Sequence, residues 1–292
     1  MIATLAPRAR GAPSLVLLAA MLGCWQGEAD PLEQWPHEPA EFTVLTNQSW
    51  SALGSLGWGH ADRVAQSLVA VDAAAPFHPP TVLRLMYPAG FQGGGEPAVD
   101  WYPLPDAQGV FAALWWRASA PWQGHEVLNK LTFITQADAA DIGPTSNTIL
   151  AFGPSPFDPA TNAAGGPWTV RVALEFATSN GHLASSTGDD PGSRNLFGNS
   201  APLIRQSDGW HLVELLVIRS TTATSRDGVV RWWVDNRLAG EYTTVNFDQR
   251  PFKEFQIAAT WGGMGEEKTE NDYLEFGPVH LSRTPDGAQD SP

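Results

Sequence analysis

Asp227-Gly-Val-Val-Arg-Trp-Trp-Val-Asp-Asn-Arg-Leu-Ala-Gly-Glu-Tyr242 reads as one complete structural unit. Asp227-Gly228 is a turn signal, and Val229 to Asp235 alternates as a strand. Asp235 and Asn236 both tolerate positive φ, which predicts a two-residue hairpin turn before a return strand over Arg237 to Thr243. Neighbours on a strand point to opposite faces, so the two tryptophans cannot share a role. Trp232 joins Val230 and Val234 as core. Trp233 joins Arg231 and Asp235, where it meets a sugar or covers an outer surface.

The same two-residue rhythm recurs along the chain. Strands are predicted at Thr81 to Tyr87, Val110 to Arg117, Lys130 to Ile134, Thr148 to Phe152, Trp168 to Phe176, Trp210 to Arg219, Glu254 to Ala259, Tyr273 to Phe276 and Val279 to Leu281. No long stretch carries helical spacing, and Gly90 to Gly95 and Gly153 to Pro159 read as loops. Ten or more strands over about 240 residues predict an all-β fold, a two-sheet antiparallel sandwich forming one domain over 42–283. No repeat of 20 to 50 residues is visible, which disfavours a propeller or solenoid.

Arg8 and Arg10 precede the apolar run Leu15-Val-Leu-Leu-Ala-Ala-Met-Leu22, then Gly23-Cys24. Residues 1–23 read as a signal peptide of bacterial lipoprotein type, with Cys24 as the lipidated first residue of the mature chain; a conventional signal peptide with an unused cysteine is the alternative. The protein is thus expected to be exported to the cell envelope, at the outer membrane or surface, or otherwise to the periplasm or medium. Residues 24–41 are acidic and contain proline without a period, as a tether does, and 284–292 reads as a flexible tail. With one cysteine no disulfide framework is expected. The 292 residues hold 17 Lys plus Arg against 31 Asp plus Glu, a formal charge of −14, which argues against nucleic acid.

The order of a Trp-His strand over Trp210 to Arg219, an Asp-Gly turn, a strand ending Trp-Val-Asp and a short return resembles the concanavalin A-like lectin and glucanase superfamily. Trp122-Gln-Gly-His-Glu-Val-Leu-Asn-Lys130, Val230-Arg-Trp-Trp-Val-Asp235, Thr260-Trp-Gly-Gly263 and Asp272-Tyr273 are similar to a bacterial group of polysaccharide-lyase-like proteins, of alginate and glucuronan lyase type. The likeness covers about residues 80–282. It implies a β-jelly roll and a polysaccharide partner, whereas activity in the superfamily ranges from hydrolysis and elimination to sugar binding alone.

Strand parity sorts the candidate chemistry. Val170, Val172, Leu174 and Phe176 predict a core face, leaving Arg171, Ala173 and Glu175 opposite. Leu131 and Phe133 read as core, so Lys130 and Thr132 face outward; Arg84 opposes Leu83 and Leu85, and Arg117 with Trp115 opposes Leu114 and Trp116. Arg84, Arg117, Lys130, Arg171 and Glu175 would together line a cationic groove, with Trp115, Trp233 and Trp261 as stacking rings; solvated strand charges are the plain alternative. Glycoside hydrolysis needs paired carboxylates, and no Glu-x-Asp-x-x-Glu strand is present. Elimination at a uronate needs a cation for the carboxylate, a base for the C5 proton and an acid for the leaving O4. Resemblance to the jelly-roll lyases implies Lys130, Arg171 and Tyr273 in those roles, with His125 and His182 as alternative bases, although no Tyr-x-Tyr pair or Tyr-x-Lys-x-Gly-x-Tyr motif occurs.

No cofactor is expected. The scattered histidines give no zinc spacing, and the acidic runs Asp189-Asp190 and Glu266, Glu267, Glu270, Asp272 read as solvated loops, with structural calcium the alternative. Ser-His-Asp catalysis has no elbow motif in its favour. The reading is an exported, monomeric jelly-roll protein that cleaves a uronate-containing polysaccharide by β-elimination; a lectin-like surface lipoprotein without catalysis is the alternative.

Overall fold

The computed structural model describes residues 35–63, 67–126, 128–136, 147–154, 166–175, 195–196, 198, 203–205, 208–247 and 250–285. Sixteen strands run through them: β1 (Thr43–Gln48), β2 (Gly59–Asp62), β3 (Ser67–Val71), β4 (Thr81–Tyr87), β5 (Ala98–Pro103), β6 (Gly109–Ala118), β7 (Asn129–Gln136), β8 (Asn147–Gly153), β9 (Trp168–Glu175), β10 (Asn195–Leu196), β11 (Leu203–Ile204), β12 (His211–Ile218), β13 (Gly228–Val234), β14 (Arg237–Val245), β15 (Phe252–Ile257) and β16 (Asp272–Arg283). They form two antiparallel eight-stranded sheets. The first has the order β14-β13-β12-β6-β16-β4-β3, with β1 also on β16; the second has the order β10-β9-β8-β7-β15-β5-β2, with β11 also on β9. This is the expected all-β sandwich. The expected strands are all present, and β16 joins the two segments that straddle Gly277 and Pro278. β1, β2, β3, β5, β10 and β11 were not foreseen; most are short or edge strands whose alternation is weak.

The core lies between the sheets. Leu83, Leu85, Leu114, Trp116, Trp232 and Val234 enter it from the first sheet, and Leu131, Ile134, Leu150, Phe152, Val170, Val172 and Phe255 from the second. Each fully buried aliphatic or aromatic side chain contributes about 1.5–3 kcal/mol. Asp235 and Asn236 have φ of 49° and 62°, as the hairpin requires. Trp232 spans the sandwich and donates its indole N–H to Val170 O at 3.2 Å. Its ring lies on Gly240, where an added Cβ would stand 2.1 Å from the indole.

A short strap crosses the outside of the first sheet. Residues 35–41, expected to end an unpacked tether, lie against that sheet: Trp35 is 4% exposed, clusters with Phe111, Leu212, Leu216 and Trp233, and stacks on His280. Trp35 within this stretch and Phe42 just after it supply apolar area to bury that the acidic composition conceals. Among the described residues no helix is long and apolar enough to cross a membrane. Cys24, His182 and Asp189-Asp190 lie outside the described residues.

Candidate functional site

Strand pairing decides which of the predicted residues share a surface. On the outer face of the second sheet, Lys130 of β7 pairs with Ala151 of β8, and Ala151 with Arg171 of β9. Directly paired residues point the same way, so Lys130 and Arg171 stand in one row, about 10 Å apart across the intervening strand. The adjacent row runs Trp101, Gln256, Phe133, Ile149, Ala173 over five strands, roughly 19 Å. Trp101 and Phe133 are half-buried. The Lys130 ammonium lies 5.4 Å from the centre of the Phe133 ring, and Gln256 donates to Glu254 Oε1 at 2.6 Å. Arg171 is 5% exposed. Burial lowers its guanidinium to about 10, which leaves it cationic at neutral pH.

Phe133 was expected in the core and Thr132 outside; the structure reverses them. A bulge between Lys130 and Thr132 puts one extra residue into β7, so Leu131 and the buried Thr132 both turn inward and Phe133 turns out. Gln256 follows by parity from Phe255 and Ile257 and was legible. Trp101 was not, because Ala98-Val-Asp-Trp-Tyr-Pro103 mixes polar and apolar residues on both faces. Glu175 ends β9 opposite Asn147, but its side chain is not among those described.

The remaining candidates lie elsewhere. Arg84 and Arg117 flank Glu275 on the outer face of the first sheet, with Nε to carboxylate distances of 2.8 and 2.5 Å. Glu275 is fully buried, Arg117 also reaches Asp72 at 3.1 Å, and Tyr273 lies under the Arg84 guanidinium at 4.7 Å. The expected grouping of Arg84, Arg117 and Tyr273 with Lys130 and Arg171 is therefore corrected: the core of the sandwich separates them. Trp115 packs on the first sheet against Phe77. Trp233 is 8% exposed and capped by His37, stacked at 4.6 Å and 11°, so it covers an outer surface and does not offer a ring to a sugar.

His125 and Trp261 belong to the loops that cross between the sheets at the Lys130 end. His125 is buried, its ring sits on Gly262 (φ 64°), and its Nε2 accepts the Gly263 N–H at 3.2 Å. A Cβ on Gly262 would come within 1.8 Å of that ring. An imidazole nitrogen already accepting a backbone N–H is a clamp, not an available base. Trp261 is fully buried and donates to Gln123 O at 2.9 Å. Beside it Lys268, also buried, sits 3.5 Å over Trp122, 4.7 Å over Trp261 and 5.5 Å over Tyr87, and bonds Asp272 and Gln123 O at 2.6 Å each. Desolvation lowers the Lys268 ammonium to about 8. The acidic run expected as a solvated loop or calcium site thus splits: Asp272 is a buried partner of Lys268, whereas Glu267 accepts from Gln92 at the surface. The motif residues Trp122, His125, Trp261 and Asp272 serve to pin the loops that lead into β7 beside Lys130.

No protein-family model matches this sequence, and no curated protein matches it. Solved structures share its architecture. An endo-β-1,4-glucuronan lyase from the fungus Trichoderma reesei is 16% identical, with 83% of this chain and 96% of that one covered and a TM-score of 0.53. The alginate lyase vAL-1 from Chlorella virus is 13% identical, over 82% and 100%, with a TM-score of 0.51. An alginate lyase in complex with alginate trisaccharide is 12% identical, over 70% and 82%, with a TM-score of 0.50. What they share with it is the fold, a two-sheet antiparallel jelly roll. At these identities the likeness concerns the fold, and the chemistry of this jelly roll rests on its own outer faces.

Proposed function

We propose that this jelly roll binds a uronate-containing polysaccharide along the outer face of its second sheet and cleaves it by β-elimination. The observation that carries the proposal is the row Lys130, Ala151, Arg171 beside Trp101, Gln256 and Phe133. It sets two cations next to apolar rings and an amide, the mixture that an anionic sugar chain with apolar ring faces requires. The same fold carries lyases of glucuronan and of alginate in the solved structures above.

In this reading Arg171 pairs with the uronate carboxylate, so that charge developing at C5 is spread onto a neutralised group. Lys130 first loses its ammonium proton to solvent; its amine then takes the C5 proton, the C4–O4 bond breaks, a C4=C5 double bond forms, and the ammonium or water returns a proton to O4. Tyr273 has no part, being on the other sheet. Export and lipidation of Cys24 complete the proposal; replacing Cys24 with Ala should release the protein from membranes.

One observation favours binding without catalysis: none of the four tyrosines lies on this face. Tyr87 and Tyr242 are in the core, Tyr102 packs against it and donates to Leu45 O at 3.1 Å, and Tyr273 is on the first sheet. Incubation with a panel of uronic-acid polymers, followed by absorbance of the unsaturated product, separates the readings. Elimination predicts product that is lost in Lys130→Ala and Arg171→Ala. Binding to a glycan array with no product on any polymer would leave the non-catalytic reading in its place, and activity intact in both variants would move the site elsewhere.

A further inference from the structure

At one side edge of the sandwich, β2 of the second sheet and β3 of the first bring three polar residues together. His60 pairs with Asp100 across β2 and β5, and its Nδ1 lies 3.0 Å from Asp100 Oδ1. The other ring nitrogen, Nε2, lies 3.3 Å from Ser67 Oγ. Asp100 is fully buried, the His60 side chain is 17% exposed and Ser67 is half-buried, so the row runs from the interior to solvent. The second oxygen of Asp100 has no hydrogen-bond partner among the described residues. Its carboxyl is thus committed to one group, the imidazole.

A hydroxyl on one imidazole nitrogen and a buried carboxylate on the other is the arrangement that activates a serine, and it is recognised by geometry and not by chain order. We infer that Ser67, His60 and Asp100 form an acyl-transfer site, distinct from the polysaccharide face, whose substrates are carboxylic esters. Ser67 Oγ attacks the ester carbonyl while His60 Nε2 takes its proton. The acyl C–O bond then breaks and the alcohol leaves with that proton. Water next attacks the acyl-serine, its proton passes through His60 to Oγ, and the carboxylic acid departs; water is the only co-reactant. Asp100 holds the imidazole in the tautomer that presents Nε2 to the hydroxyl. Burial raises the Asp100 carboxyl to about 6, so it acts as the anion at neutral pH.

Asp62 tunes the resting state. Its Oδ1 accepts the Ser67 hydroxyl at 2.9 Å and the Ser67 N–H at 3.2 Å, and lies 3.5 Å from His60 Nε2. It competes with the imidazole for the hydroxyl proton, and its side chain is 56% exposed. Removing that competitor should raise reactivity.

A fluorophosphonate probe tests the assignment on the whole chain at pH 7.5. Intact mass and peptide mapping should find one adduct per chain, on Ser67, and none in Ser67→Ala. Asp100→Asn should slow labelling on the order of 10⁴-fold, as loss of the orienting carboxylate does in a serine triad, and Asp62→Ala should speed it. Absence of an adduct on the wild-type protein, or an adduct elsewhere, overturns the inference whether or not any variant folds. Labelling of Ser67 at equal rates in wild type and Asp100→Asn also overturns it, reducing the three residues to a hydrogen-bonded plug of the sandwich edge. Uronate cleavage and glycan binding do not enter this assay, so its outcome is independent of theirs.

Discussion

Each sheet turns two cations outward on strands separated by one other strand, and the two rows differ in what the middle strand supplies. On the first sheet Arg84 and Arg117 flank Glu275, in register with both. On the second, Lys130 and Arg171 flank Ala151. A buried carboxylate between two guanidiniums satisfies them internally, and the strap at Trp35 and His37 covers the neighbouring aromatic surface of the same sheet. On the second sheet Ala151 stands between the two cations, and Lys130 shares the outer face with the half-buried Trp101 and Phe133. The two rows therefore differ in the side chain at their centre, Glu275 in one and Ala151 in the other.

The largest expected effect comes from erasing that difference on the first sheet. Glu275→Ala leaves Arg84 and Arg117 without their shared carboxylate and should cost about 3–5 kcal/mol of folding free energy in urea titrations. If the cost is below 1 kcal/mol, the two rows are more alike than the register implies. Trp233→Ala should cost about 3 kcal/mol by emptying the space under His37, without changing glycan affinity. Copying the first row onto the second, Ala151→Glu should place a carboxylate between Lys130 and Arg171 and weaken binding of an anionic polysaccharide about 10- to 100-fold, the scale of one or two charge-assisted hydrogen bonds. Unchanged affinity in that variant would detach the binding proposal from this row. The smallest effect is that of salt: raising it from about 0.1 to 1 M shortens the screening length from about 10 to 3 Å. Binding at the second face should weaken several-fold while the melting temperature, which reports the buried first row, stays level.

Much of this was legible before the tertiary structure. Parity on β4, β6, β9 and β13 correctly separates Leu83 from Arg84, Trp116 from Arg117, Val172 from Arg171 and Trp232 from Trp233, because a buried face demands an apolar residue at every second position. Parity failed on β7, where the bulge that turns Phe133 outward leaves no mark in Lys130-Leu-Thr-Phe-Ile134. It is equally silent on which outward faces meet. Tyr273 and Lys130 are both outward-facing, yet they belong to sheets whose outer faces point in opposite directions.

By itself, then, the chain's alternation determined an all-β sandwich, the hairpin at Asp235-Asn236 and the inward or outward choice for most strand residues, since these follow from local sterics and the need to bury apolar area. Only the tertiary structure decided that Lys130 joins Arg171 across Ala151, that Arg84 and Arg117 close on Glu275, and that Ser67, His60 and Asp100 meet at an edge. Those are pairings between strands distant in sequence. Their energies depend on partners that no local pattern encodes.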